Sequence, residues 1–87
     1  MKLRKDNIIY HELLGMYVEC YDKKFKKVGK GMVIDETKET IKILTEDNKI
    51  KKYLKRCYNF SFLINGDKVT VKGINILGKP EDRIKKL

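Results

Sequence analysis

Side chains able to carry acid–base chemistry are few in this sequence. His11 is the only histidine, and it stands beside Glu12. Adjacent residues on a helix diverge by about 100° and do not face one another, so the two make no acid–base pair and His11 reads as a solvent-facing or interface residue. Asp35, Glu36, Glu39, Glu46 and Asp47 fall in turn-forming stretches, where acidic residues serve as solvated turn formers. Their spacing singles out no set of carboxylates that would converge on a pair of metal ions. The segment VGKGM lacks both the spacing and the helix start of a phosphate loop. Cys20 and Cys57 are 37 positions apart and belong to no CxxC or histidine-containing ligand set, so two buried free thiols are the default expectation, with a single disulfide between them the alternative. No catalytic residue, metal ligand or cofactor site is assigned.

The basic residues are better organised. The net charge is +9 on 87 residues, a surplus that attracts polyanions. Three groups carry it: Lys23, Lys24, Lys26, Lys27 and Lys30; then Lys49, Lys51, Lys52, Lys55 and Arg56; then the terminal Lys79, Arg83, Lys85 and Lys86. Cations on a rigid surface suit phosphate contact, and the intervening Phe25, Tyr53 and Tyr58 offer faces on which unpaired bases can stack. Lysine greatly outnumbers arginine, which suits backbone contact more than bidentate base reading.

Something must hold these groups in place. A 41% apolar content in 87 residues supports one modest core, hence a single domain. No apolar run of signal or membrane-span length is present, which points to the cytosol. After a short flexible start over 1–6, NIIYHELL is expected as a helix over 7–14, stopped by Gly15. The period then becomes 2, with Met16, Val18 and Cys20 on one face, and later Ile41 and Ile43, Phe60, Phe62 and Ile64, and Val69 and Val71. Asn65-Gly66 marks a hairpin. Gly29 and Gly31 share one face of a strand and permit bending or close backbone approach. In KIKKYLKR the alternation slips, which suggests a bulge or an early strand end. Five or six short, strongly bent antiparallel strands over 16–72 make a mainly β, SH3-like or Sm-like barrel; an OB-fold is less favoured because no helix-length segment interrupts the strands. From Pro80 onward, proline, Glu81 and Asp82 followed by Lys85 and Lys86 read as a helix over 80–87, too short to stand without docking.

Three stretches resemble archaeal ribonuclease P protein component 1: the ELLG before the first strand, VIDETKETIKILTED at Val33 to Asp47, and ILGKPEDRIKK at Ile76 to Lys86. The resemblance runs from about Ile8 to Lys86. It implies an Sm-like barrel in the ribonucleoprotein that removes the 5′ leader of precursor transfer RNA. In that family the RNA subunit, with magnesium, performs the hydrolysis, and the protein contacts ribonuclease P RNA, meets precursor tRNA indirectly, and pairs with a zinc-ribbon subunit beside other ribonuclease P proteins. It further implies that the terminal helices pack together through Ile84 and Leu87 and, with Ile8, Ile9 and Leu13, form the partner surface. Arg83 would hold that helix or contact RNA. The rival readings are a ribosomal or translation-associated SH3-like barrel and a protein-interaction module without RNA binding.

Overall fold

In the computed structural model, which describes residues 12–79 and Glu81, the period-2 segments become six antiparallel strands. These are β1 (Tyr17–Tyr21), β2 (Lys27–Glu36), β3 (Thr40–Leu44), β4 (Ile50–Leu54), β5 (Asn59–Ile64) and β6 (Asp67–Lys72). They form one sheet in the order β4-β3-β2-β1-β5-β6. Short 3₁₀ turns follow the two edge strands, Lys55–Cys57 after β4 and Gly73–Ile76 after β6.

The sheet curls because β2 serves two neighbours in succession. Its first half pairs with β1 from Lys27 to Met32, and its second half with β3 from Met32 to Glu36. Irregular register beside Cys20 and between Val33 and Asp35 adds the local twist that such bulges bring. The paired glycines permit the close approach anticipated from their spacing. A Cβ on Gly29 would lie 2.1 Å from the Tyr53 hydroxyl, and one on Gly31 would lie 2.3 Å from the Leu44 carbonyl oxygen. Tyr53 reaches over from β4 to donate to the Val28 carbonyl of β2 at 3.3 Å. The two 3₁₀ turns then meet: the Gly73 N–H donates to the Tyr58 carbonyl at 3.0 Å. Val18, Cys20, Val33, Ile41, Ile43, Phe60, Phe62, Val71 and Ile76 fill the inside.

Several expectations need correction. The helices expected over 7–14 and 80–87 lie mostly outside the described residues. Of the first, residues 12–14 are described and are not helical. The Met16 N–H closes a turn on the Leu13 carbonyl at 3.1 Å, and Gly15, at φ 83°, donates to the Val33 carbonyl of β2 at 2.8 Å. Leu13, assigned to a partner surface, is instead fully buried in the core because that turn folds it inward. Of the two readings of the slip in KIKKYLKR, a bulge is absent, since β3 and β4 keep continuous register from Thr40–Leu54 to Leu44–Ile50, while a strand end within the segment is present, β4 stopping at Leu54 before the 3₁₀ turn. Cys57 is exposed on its 3₁₀ turn, whereas Cys20 is buried and its thiol is pushed up to about 12 by desolvation.

Lys55 is the largest correction. Grouped by sequence with the RNA-facing cations, it has a side chain with no exposed surface. Its ammonium donates to Glu36 Oε2 at 2.7 Å and to the carbonyls of Thr37 at 2.7 Å, Gly78 at 3.0 Å and Lys38 at 3.4 Å. The reason is period 2: Lys55 shares a face with buried Tyr53, and the chain turns back there onto the β2–β3 connection. Removing one member of a buried ion pair strands the other, so Lys55→Ala is expected to cost about 3–5 kcal/mol. Urea unfolding would read this as a lower midpoint, while a like-volume apolar pair at 36 and 55 should recover most of the loss.

Candidate nucleic-acid interface

Antiparallel register places the side chains opposite the main core in rows across the sheet, whose central members Glu19, Asn59 and Ser61 are buried. One row runs Lys27, Tyr21, Asn59, Lys72, and the next runs Lys30, Glu19, Ser61, Thr70. On the far wing Lys42 of β3 stands directly opposite Lys52 of β4. Like charges in this position repel, so the sheet holds the two ammoniums together at a cost. No ion pair among the described residues engages either one.

Other cations are matched within the fold. Glu19 accepts from Lys27 at 2.7 Å, Lys68 at 2.9 Å and the Tyr21 hydroxyl at 2.9 Å. Those bonds, Lys27 foremost, hold its carboxyl at about 2, well below the ordinary 4.5. The same bonds raise both ammoniums. Around the cleft lined by Gly29, Lys30, Thr45, Glu46, Asp47 and Lys51, Lys30 pairs with Glu46 at 3.9 Å and Lys49 with Asp47 at 3.6 Å. The Thr45 hydroxyl, bonded to Asp47, is the main cause of that carboxyl's lowered pKa. Arg56 meets Glu39 at 3.5 Å.

The sequence-based groups therefore separate into different roles. Lys23, Lys24 and Lys26 are exposed on the β1–β2 loop, and Lys51 and Lys52 are exposed on β4, with no ion pair among the described residues. Lys79 is exposed where the described chain ends, and Arg83, Lys85 and Lys86 lie outside it. Lys27, Lys30, Lys49 and Arg56 are exposed but paired, and Lys55 is internal. Of the three aromatic residues singled out by sequence, Tyr53 is buried and packs edge-to-face with half-buried Tyr58 at a centroid distance of 5.0 Å. Among the described aromatic residues Phe25 is the most exposed to solvent. Reasoning from charge runs missed Lys42, Lys68 and Lys72, which are isolated in sequence; strand register was the signal that joins them to the others.

A second feature is apolar. Ile50, Leu44, Met32, Tyr17 and Leu63 are successive cross-strand neighbours, forming one outward row over five strands. Ile50, Met32 and Leu63 in that row are strongly exposed. The residues assigned to partner contact differ from these: Ile8, Ile9, Ile84 and Leu87 lie outside the described residues, and Leu13 is internal.

Residues 6–86 match the family model described as ribonuclease P/MRP, subunit p29. A protein from Staphylothermus marinus named ribonuclease P protein component 1 is 40% identical, the alignment covering all of this chain and 98% of that one. One of the same name from Methanocaldococcus jannaschii is 43% identical over 92% of this chain and 86% of that one. A solved structure titled as Mth11, a homologue of human RNase P protein Rpp29, superposes with a TM-score of 0.56 at 29% identity, covering 85% of this chain and 99% of its own.

The depressed Glu19 pKa fixes a pH window. Its ion pairs stabilise the fold fully above the ordinary value of 4.5 and are lost as pH falls through about 2. The shift bounds this contribution at about 3 kcal/mol, and solvent screening of the exposed lysines reduces it to about 1 kcal/mol. Glu19→Gln should therefore flatten the acid limb of the thermal-midpoint curve between about pH 4.5 and pH 2. A limb as steep as that of the unsubstituted protein would show that other carboxylates govern it.

Proposed function

The chain belongs to the ribonuclease P/MRP p29 family, and on that premise we propose that it is a non-catalytic subunit that binds the RNA of ribonuclease P. The opposed Lys42 and Lys52 carry this reading. An arrangement that raises the energy of the free protein becomes favourable when a phosphate sits between or beside the two ammoniums. The carboxylates Glu19, Glu36, Glu39, Glu46 and Asp47 are each engaged with a lysine or arginine, which supports a structural use for them. Phosphodiester hydrolysis of precursor tRNA then falls to the RNA subunit with its magnesium. No helix among the described residues is long and apolar enough to cross a membrane, and the proposed site of action is the cytoplasm.

The protein partner in this reading is the zinc-ribbon subunit, and the apolar row through Met32 and Leu63 is the surface offered to it. An exposed stripe of that kind marks an interaction site on a small soluble fold. Its position beside the cationic rows on the same side of the sheet lets neighbouring strips of one surface meet protein and RNA.

Replacing Lys42, Lys51 and Lys52 together by Ala should weaken binding to ribonuclease P RNA about tenfold or more and make the log-affinity against log-salt slope shallower by roughly 2–3. Thermal stability should hold or rise, because like-charge repulsion is removed. An unchanged slope would refute phosphate contact on this wing. Met32→Asp with Leu63→Asp should abolish co-purification with the zinc-ribbon subunit at a stability cost of about 0.5 kcal/mol each. Undiminished pairing would place that partner elsewhere.

A further inference from the structure

The chain builds one hairpin loop twice. In the β1–β2 loop the Asp22 N–H donates to the Lys26 carbonyl at 2.9 Å and the Phe25 N–H to the Asp22 carbonyl at 3.0 Å. Asp22 Oδ1 accepts from the N–H groups of Lys26 and Lys24, each at 2.9 Å. In the β3–β4 loop the Thr45 N–H donates to the Lys49 carbonyl at 2.9 Å and the Asn48 N–H to the Thr45 carbonyl at 3.0 Å. Thr45 Oγ1 accepts from the Lys49 N–H at 3.1 Å. The fourth residue of each loop is left-handed, with φ 61° for both Phe25 and Asn48.

That position favours glycine or asparagine, whose small or locally hydrogen-bonding side chains tolerate the conformation. Asn48 obeys the rule, and so does the other positive-φ non-glycine residue among those described, Asn65. Phe25 breaks it. A bulky aromatic in the left-handed region is strained, and such strain persists where the surroundings hold it in place for use. Packing does not explain the choice, because Phe25 is 62% exposed and has no ring partner among the described residues. Its neighbours Lys23, Lys24 and Lys26 are exposed cations without ion pairs among the described residues.

We propose that Phe25 is a stacking platform for an unpaired RNA base, with Lys23, Lys24 and Lys26 holding the flanking phosphates. This rests on the RNA-binding reading above and deepens it by naming a single-stranded nucleotide as what the loop takes. An aromatic face is open to any base, so the loop selects for unpaired structure over sequence. The rigid turn beneath it, with Asp22 accepting two backbone N–H groups, means the ring is positioned before the RNA arrives.

The twin loop supplies the substitution that tests this. Phe25→Asn places in the first loop the residue the second already uses, so the full chain should fold with an unfolding midpoint at or above that of the unsubstituted protein. The probe is a short single-stranded RNA carrying a fluorescent adenine analogue, compared with the same strand in a duplex. The unsubstituted protein should quench the analogue in the single strand, and Phe25→Asn should abolish the quench and lower the affinity about five- to a hundredfold. Its salt slope should not change, because no cation has been removed. Phe25→Tyr should restore both quench and affinity. Equal quenching and affinity for Phe25→Asn overturns the stacking role while leaving RNA binding intact, as does loss of protein-partner association with single-strand binding preserved. Failure of the unsubstituted protein to bind either RNA overturns the RNA-binding reading itself.

Discussion

A single ammonium group ties this molecule's two edges together. Lys55 Nζ lies where the end of β4, the β2–β3 turn and the chain at Gly78 converge, within 2.7–3.4 Å of one carboxylate oxygen and three backbone carbonyls. An ammonium has only three protons, so the contact with Lys38 at 3.4 Å is the weakest and shares a donor. Such a pair adds little net stability over an apolar substitute, because desolvating both charges offsets their attraction. Its consequence is geometric. Few arrangements satisfy a buried cation with carbonyls from separate segments, and each carbonyl is thereby fixed relative to the rest. Further backbone bonds, Lys55 N–H to Glu39 at 2.7 Å and Gly78 N–H to Lys38 at 2.8 Å, make the same junction a small network.

The closure at Lys55 decides what the outside of the sheet can do. A curled sheet turns one face mainly to the core and spreads the other outward, where the β2 and β4 side chains are displayed while Glu19, Asn59 and Ser61 at the centre stay buried. On the half-buried centre of that surface a lone charge is costly, and there Glu19 is surrounded by Lys27, Lys68 and Tyr21. On the β3–β4 wing the solvent is close. Two ammoniums several ångströms apart in a water-like dielectric repel by only about 1 kcal/mol or less, which a small fold tolerates. Compensation at the centre and exposure at the wing are thus the same electrostatic rule applied at two depths.

Much of this was legible in the amino-acid order. Alternation located the strands, Asn65-Gly66 located the last hairpin, and the spacing of Gly29 and Gly31 anticipated two places where another group would press against the backbone. The candidate interface was less legible, because a run of lysines in sequence is not a patch in space. Lys51, Tyr53 and Lys55 alternate with Lys52 and Leu54, so a single basic segment sends one lysine to the rim, one to the outer face and one into the core. Register across the Glu36 to Ile41 hairpin was needed to see that Glu36 faces inward beside Ile41, and that it could therefore meet Lys55. Leu13 was misplaced for a related reason: a helical reading of its neighbours ignored that Gly15 could bind the edge of β2 instead.

Formal charge treats all cations alike, and the fold does not. Among the described residues one is internal and neutralised by Glu36, and five more, Lys27, Lys30, Lys49, Arg56 and Lys68, lie against carboxylates. The other described cations sit on the β1–β2 loop, on the β2–β3 turn, on the β3–β4 wing, at the end of β6 and at Lys79. Paired lysines still matter, since an exposed pair is worth little and can open when a phosphate competes for the cation. The two classes differ in what binding must first undo. Lys42 and Lys52 gain a partner with nothing broken, whereas Lys27 and Lys68 must give up Glu19, with which they make close charge-assisted hydrogen bonds. On the proposed RNA-binding reading, initial contact with a polyanion belongs to the wing and the loop, and the centre of the sheet joins only once phosphates outcompete the carboxylate.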